Sequence, residues 1–127
     1  MTVGGQVHAH FKVFAGKAQR KNPIAAVAKK AEEFVAREKV APKSIGVEYL
    51  EASREVILTL GFRRDVKPYE ISLVAVPLGK LTDTKKATLD QLAGSMDVAA
   101  SKLKRVICHE LIVTETGDFV MVVMTHR

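Results

Sequence analysis

The chain has 127 residues, a formal net charge of +6, 47% apolar residues and 27% charged ones. That length suits one domain around a single core, and the composition is that of a globular protein, which excludes a disordered or fibrous chain. No window approaches the roughly 18 consecutive apolar residues of a membrane span, so no membrane partner is expected. Met1-Thr2-Val3-Gly4-Gly5 is no apolar signal run and is expected to be disordered at the edge of a single α+β domain over residues 1–127. A lone cysteine, Cys108, excludes an internal disulfide and fits a reducing, cytoplasmic setting.

Residues 6–14 alternate, with Val7, Ala9, Phe11 and Val13 on one face and His8, His10 and Lys12 on the other. That spacing predicts a half-buried strand. A basic loop follows, with Lys17, Arg20 and Lys21, and leads into Asn22-Pro23. Asn suits a helix cap and Pro the first helical position. Ile24, Val27, Ala28, Ala31, Phe34 and Val35 recur at helical spacing, and Pro42 is expected to end the helix.

Three alternating runs come next, over 44–50, 55–62 and 69–76, joined by short polar links. They read as an antiparallel meander that Pro77 and Gly79 break. A second helix is expected from Thr84 or Thr88 to Lys104, with Leu89, Leu92, Met96, Ala99, Ala100 and Leu103 on its apolar side. The chain closes with two apolar runs about the turn Glu115-Thr116-Gly117-Asp118, a hairpin whose glycine supplies positive φ. Neither strand of this hairpin has a polar face, so both faces should be covered. One cover is assigned to the chain's own helices and the other to a second subunit, which predicts a homo-oligomer, most simply a dimer.

The order β-α-β-β-β-α-β-β, with most strand joins as hairpins, predicts the α+β class. The expected form is a two-layer sandwich, a mostly antiparallel sheet with two helices on one face. The element order resembles an elaborated ferredoxin-like, split β-α-β arrangement. This likeness brings no functional motif with it.

Three places could carry chemistry. His8 and His10, at i and i+2 of a strand, project from one face about 7 Å apart. With His109 or His126 they make a candidate metal set, since zinc accepts three protein ligands and a water. Cys108, His109 and Glu110 are the second. Adjacent strand residues face opposite ways, so Cys108 and His109 do not pair, while Glu110 beside Cys108 would raise the thiol pKa. Cys108 is read as a small core residue. Glu110 and His109 are the catalytic candidates, and a buried Glu110 would need a partner.

The third place is the loop holding Lys17, Arg20 and Lys21, a candidate anion site at a helix start. Lys80, Lys85 and Lys86, before the second helix, would join the same rim if both crossovers follow the split arrangement. There is no phosphate-loop pattern, no H-E-x-x-H and no CxxC, so no motif names a cofactor. The scattered charges and scarce aromatics do not indicate a nucleic-acid partner. Three functions stand in order: an oligomeric domain that binds a small ligand, an anionic one among the candidates, or a protein partner, without catalysis; a small enzyme with a metal or acid–base site built from the histidines and Glu110; and polyanion or nucleic-acid binding through basic loops.

Overall fold

The protein is described by a computed structural model over residues 9–19 and 22–127. The eight elements arise in the expected order: β1 (Ala9–Lys17), α1 (Ala25–Glu38), β2 (Ala41–Leu50), β3 (Glu55–Arg63), β4 (Ile71–Lys80), α2 (Lys86–Ser101), β5 (Val106–Val113) and β6 (Asp118–His126). The fold is α+β. Its strands form two antiparallel three-stranded sheets, ordered β1-β3-β2 and β4-β6-β5. In each sheet the outer strands run parallel, a helix joins them, and an antiparallel strand lies between. The split β-α-β unit therefore occurs twice, although the sequence carries no repeat. The expected meander stops at β3. Both edges of β3 are taken by β1 and β2, so β4 pairs with β6 instead.

Prolines sit where edge strands tolerate them. Pro42 and Pro77 lie in β2 and β4, at register shifts between Pro42 and Ser44 and between Pro77 and Gly79. An edge strand with a bulge accepts the missing N–H, so β4 runs on to Lys80 and is not broken at Pro77.

β2 and β5 lie side by side in the same direction, without a hydrogen-bonded ladder between them. Cys108 meets the backbone of Ile45, Glu110 reaches over Gly46, and Glu115 reaches Arg54 beyond the end of β2. Across the order β1-β3-β2, then β5-β6-β4, the two crossovers travel in opposite senses. Right-handed crossovers then place their helices on opposite faces. α1 lies inside, where Phe34 meets the edges of Phe14 and Phe62 at 5.7 and 5.4 Å. α2 lies outside, with Met96 and Ala100 close to His109, Met121 and Val123. This replaces the expected placement of both helices on one face.

The core explains the apolar hairpin. Val122 and Met124 are fully buried on the inner face of β6, among Leu58, Leu60, Ile71 and Leu73. Met121 and Val123, on the outer face, are 2% and 1% exposed beside α2. The chain covers both faces of β6 itself, so this strand needs no second subunit. Among the described residues no helix is long and apolar enough to cross a membrane.

Val122→Ala removes two buried methyl groups and should lower stability in urea denaturation by about 2 kcal/mol. Val122→Asp should give unfolded or insoluble protein. A soluble, folded Val122→Asp protein would contradict its place in the core.

Candidate functional site

Because β1, β2, β4 and β5 run the same way, their C-terminal ends gather at one end of the molecule. The end of β1 is tied to the β2–β3 turn: Ala18 N–H donates to Arg54 C=O at 3.0 Å, and Lys17 Nζ to Ser53 C=O at 3.1 Å. The two hairpin turns share one device. Arg54 N–H donates to Glu51 C=O with Arg54 at φ 53°, and Gly117 N–H donates to Thr114 C=O with Gly117 at φ 81°. Gly117 takes that conformation without a Cβ clash, whereas Arg54 holds it with a full side chain.

Between these ends lies a cleft of about 530 Å³, lined by Ala18, Gln19, Arg54, Lys80, Glu115, Thr116 and Asp118. Its size falls within the usual range of small-ligand sites. Arg54 Nε lies 3.2 Å from Glu115 Oε2, joining the two turns across the seam. Thr116 Oγ1 donates to Asp118. The Lys80 ammonium, by contrast, has no ion pair or hydrogen bond among the described residues. Behind Glu115, the Tyr49 hydroxyl oxygen is closed off from solvent and has no hydrogen bond of ordinary geometry. Burial, and then the Glu115 carboxylate facing it, push the Tyr49 pKa up.

The residues of the expected basic rim are placed as follows among the described residues. Lys80 lines the cleft and Lys17 ends the adjoining strand. Arg20 and Lys21 lie outside the described residues. Lys86 pairs with Asp90 at 2.7 Å, one helical turn on. Asp83 accepts from Lys85 N–H and from Thr88 Oγ1 at 2.9 and 2.6 Å, and these bonds hold its carboxyl below the usual range. It organises the start of α2, a helix expected to begin at Thr84 or Thr88. Arg54, Glu115 and Asp118 were missed as site residues. The signal for them was the common direction of the strands preceding both hairpin turns.

The histidines do not gather. His10 stacks on Phe62 at the start of β1, with centroids 5.7 Å apart. His109 lies on the outer face of β5 beside α2. His126 stacks on Tyr69 at 4.4 Å near the C-terminus. His8 lies outside the described residues. Among those that are described, no group of three or more His, Cys, Asp or Glu is placed to hold a metal ion. The two catalytic candidates, His109 and Glu110, point to opposite faces of β5. Glu110 is half-buried in a pocket of about 370 Å³ at the β2–β5 seam, with Gly46, Glu48 and Thr59. It has no ion-pair partner among the described residues. Cys108 is also half-buried; burial raises its pKa, Glu110 adds to this, and the contact with Ile45 backbone opposes it. Both effects disfavour a thiolate.

No known protein family, no curated protein and no solved structure matches this chain.

Tyr69 donates from its hydroxyl to Pro42 C=O, and burial raises its pKa as it does that of Tyr49. The folded phenols hold their protons longer than those of the unfolded chain. Stability should therefore be intact below pH 10.0, the ordinary phenol value, and fall as pH rises through the raised folded values. Tyr69→Phe should cost about 1 kcal/mol at neutral pH, for the lost hydrogen bond, and flatten the alkaline loss. Denaturation measured between neutral pH and the alkaline range tests both points. An unchanged pH profile would contradict the assignment.

Proposed function

We propose that this domain binds a small anionic ligand in the cleft at the C-terminal ends of its parallel strands, without transforming it. The observation that carries this reading is Lys80, a cation without a partner among the described residues, in the same cleft as Arg54. Arg54 is available too. Its side chain is 76% exposed, and an exposed ion pair such as Arg54–Glu115 contributes only about 0–1 kcal/mol. A carboxylate or phosphate group with a desolvated, charge-assisted contact would outcompete it. Glu115 and Asp118 offer acceptors on the same cleft, which suits a ligand bearing a hydroxyl or amine beside its anionic group.

The enzyme reading has less support. Glu110 and His109 lie apart from this cleft and face opposite ways, and among the described residues no third group completes either of them. Self-association remains a second reading, with a different basis from the apolar hairpin. Phe11 and Val13 are 68% and 59% exposed on one face of β1, flanked on that face by Ala9 and Ala15. A second copy laid face to face would cover this uncharged strip.

Thermal unfolding with citrate and with inorganic phosphate tests the ligand reading. Binding to the folded state raises the midpoint with concentration, and Lys80→Ala should weaken that response about tenfold, the equivalent of ~1.4 kcal/mol for one charge-assisted hydrogen bond. An equal response from wild type and Lys80→Ala would remove the cleft from the account. For self-association, Phe11→Asp should lower the mass seen by sedimentation. A wild type that is monomeric at high micromolar concentration would end that reading.

A further inference from the structure

The net charge is not spread over the surface. Opposite the cleft, the start of β1, the second half of α1, the start of β2, the end of β3 and both chain segments flanking the second sheet come together. Three backbone bonds join them: Tyr69 N–H to Val40 C=O, Arg127 N–H to Glu70 C=O, and His126 N–H to Arg105 C=O. The segments concerned are 10–12, 32–43, 63–70, 102–106 and 126–127. They hold eleven of the 20 Lys and Arg and five of the 14 carboxylates, so this end carries the whole excess of +6. The other nine cations and nine carboxylates of the sequence balance in number; Arg20 and Lys21 among them lie outside the described residues.

Four of those five carboxylates are already engaged. Glu32 accepts from Leu73 N–H at 2.7 Å and lies 3.9 Å from Arg127, which also meets Glu70 at 3.5 Å. Glu38 lies between Arg37 and Arg64 at 3.6 and 3.5 Å. Asp65 is held by Arg63 at 2.6 Å. Lys12, Lys39, Lys43, Lys67, Lys102 and Lys104 have no carboxylate partner among the described residues.

Within this end, four groups converge on two touching rings. Lys12 Nζ and Arg37 Cζ each lie 5.9 Å from the centre of Phe34. His10 and Arg64 lie over Phe62, at 5.7 and 5.3 Å, and the two rings are 5.4 Å apart. The ring faces ease the crowding of like charge and hold the cations in place. Phe34 and Phe62 are only 6% and 4% exposed, so they brace cations and leave no face for a stacked base.

We propose that this basic end binds the phosphate backbone of nucleic acid, without reading its sequence. Five of the eleven cations are arginines, whose planar forks suit phosphate oxygens. Their spread over both sheets fits a polymer with regularly spaced charge better than a single small anion. Lysines and arginines that look scattered along the chain are collected in space, because parallel strands also share their starting end.

Fluorescence anisotropy with labelled single-stranded oligonucleotides of two unrelated sequences tests this. Both should bind at low salt with equal affinity, and affinity should fall steeply as salt rises. Arg37→Gln with Arg64→Gln should weaken binding at least tenfold and reduce the salt slope by about 1.4, for two phosphate contacts on a single strand. Lys43→Gln with Lys67→Gln, at exposed sites outside the ring cluster, should act in the same direction and guards against a folding defect in the first pair. Lys29→Gln with Lys86→Gln removes the same charge elsewhere and should leave binding within twofold. No binding at low salt, or equal losses from all three pairs, would overturn the proposal. So would tighter binding to poly-glutamate or to anionic phospholipid vesicles than to the oligonucleotide.

Discussion

The structure depends on covering both faces of β6. Residues 120–125 of that strand are all buried, and burying a Val or Met side chain contributes about 1.5–3 kcal/mol relative to leaving it in water. Two layers are therefore required, one on each side. Sheet pairing supplies β4 and β5 along the two edges of β6. The inner face closes on α1 and the first sheet, and the outer face closes under α2. The helices can divide the work in this way because their crossovers traverse the strand order in opposite senses. Right-handedness alone then separates them.

The same topology makes the two ends of the molecule chemically different. Four strands that begin together and finish together bring distant chain segments to each end. At the finishing end these are two strand ends and two hairpin turns, whose mixed charges form a cleft with one ammonium unpaired among the described residues. At the starting end they are the start of β1, the C-terminal flanks of both helices, the β3–β4 link and the end of β6, where cations outnumber carboxylates by eleven to five. Neither arrangement comes from a local motif. Both come from the common direction of non-adjacent strands.

This explains what could be read from the chain and what could not. All eight elements were legible, because periodicity and turn residues are local signals. The need for two covers on the last hairpin was legible as well, from its lack of a polar face. The source of the second cover was not, since α2 has only a modest apolar side and leaves Leu89 and Val98 43% and 57% exposed. The departure of β4 to the second sheet was hidden for a similar reason: its partner β6 lies some forty residues on, and the short link from β3 resembles a hairpin. Pro77 pointed to a strand end, but an edge strand with a bulge carries it. At the cleft, Lys80 was anticipated from the crossover geometry, whereas Arg54 and Glu115 meet only because β2 and β5 lie side by side. The four histidines looked like a set in one dimension, yet His10, His109 and His126 belong to three different surfaces.

The most direct test of this account is amide hydrogen exchange measured at several protein concentrations. If the chain alone covers β6, the amides of residues 120–125 should be among the most protected in the protein, with exchange rates independent of concentration. Protection of β6 that appears only as concentration rises would show that a second copy supplies one of its covers, and would contradict the account.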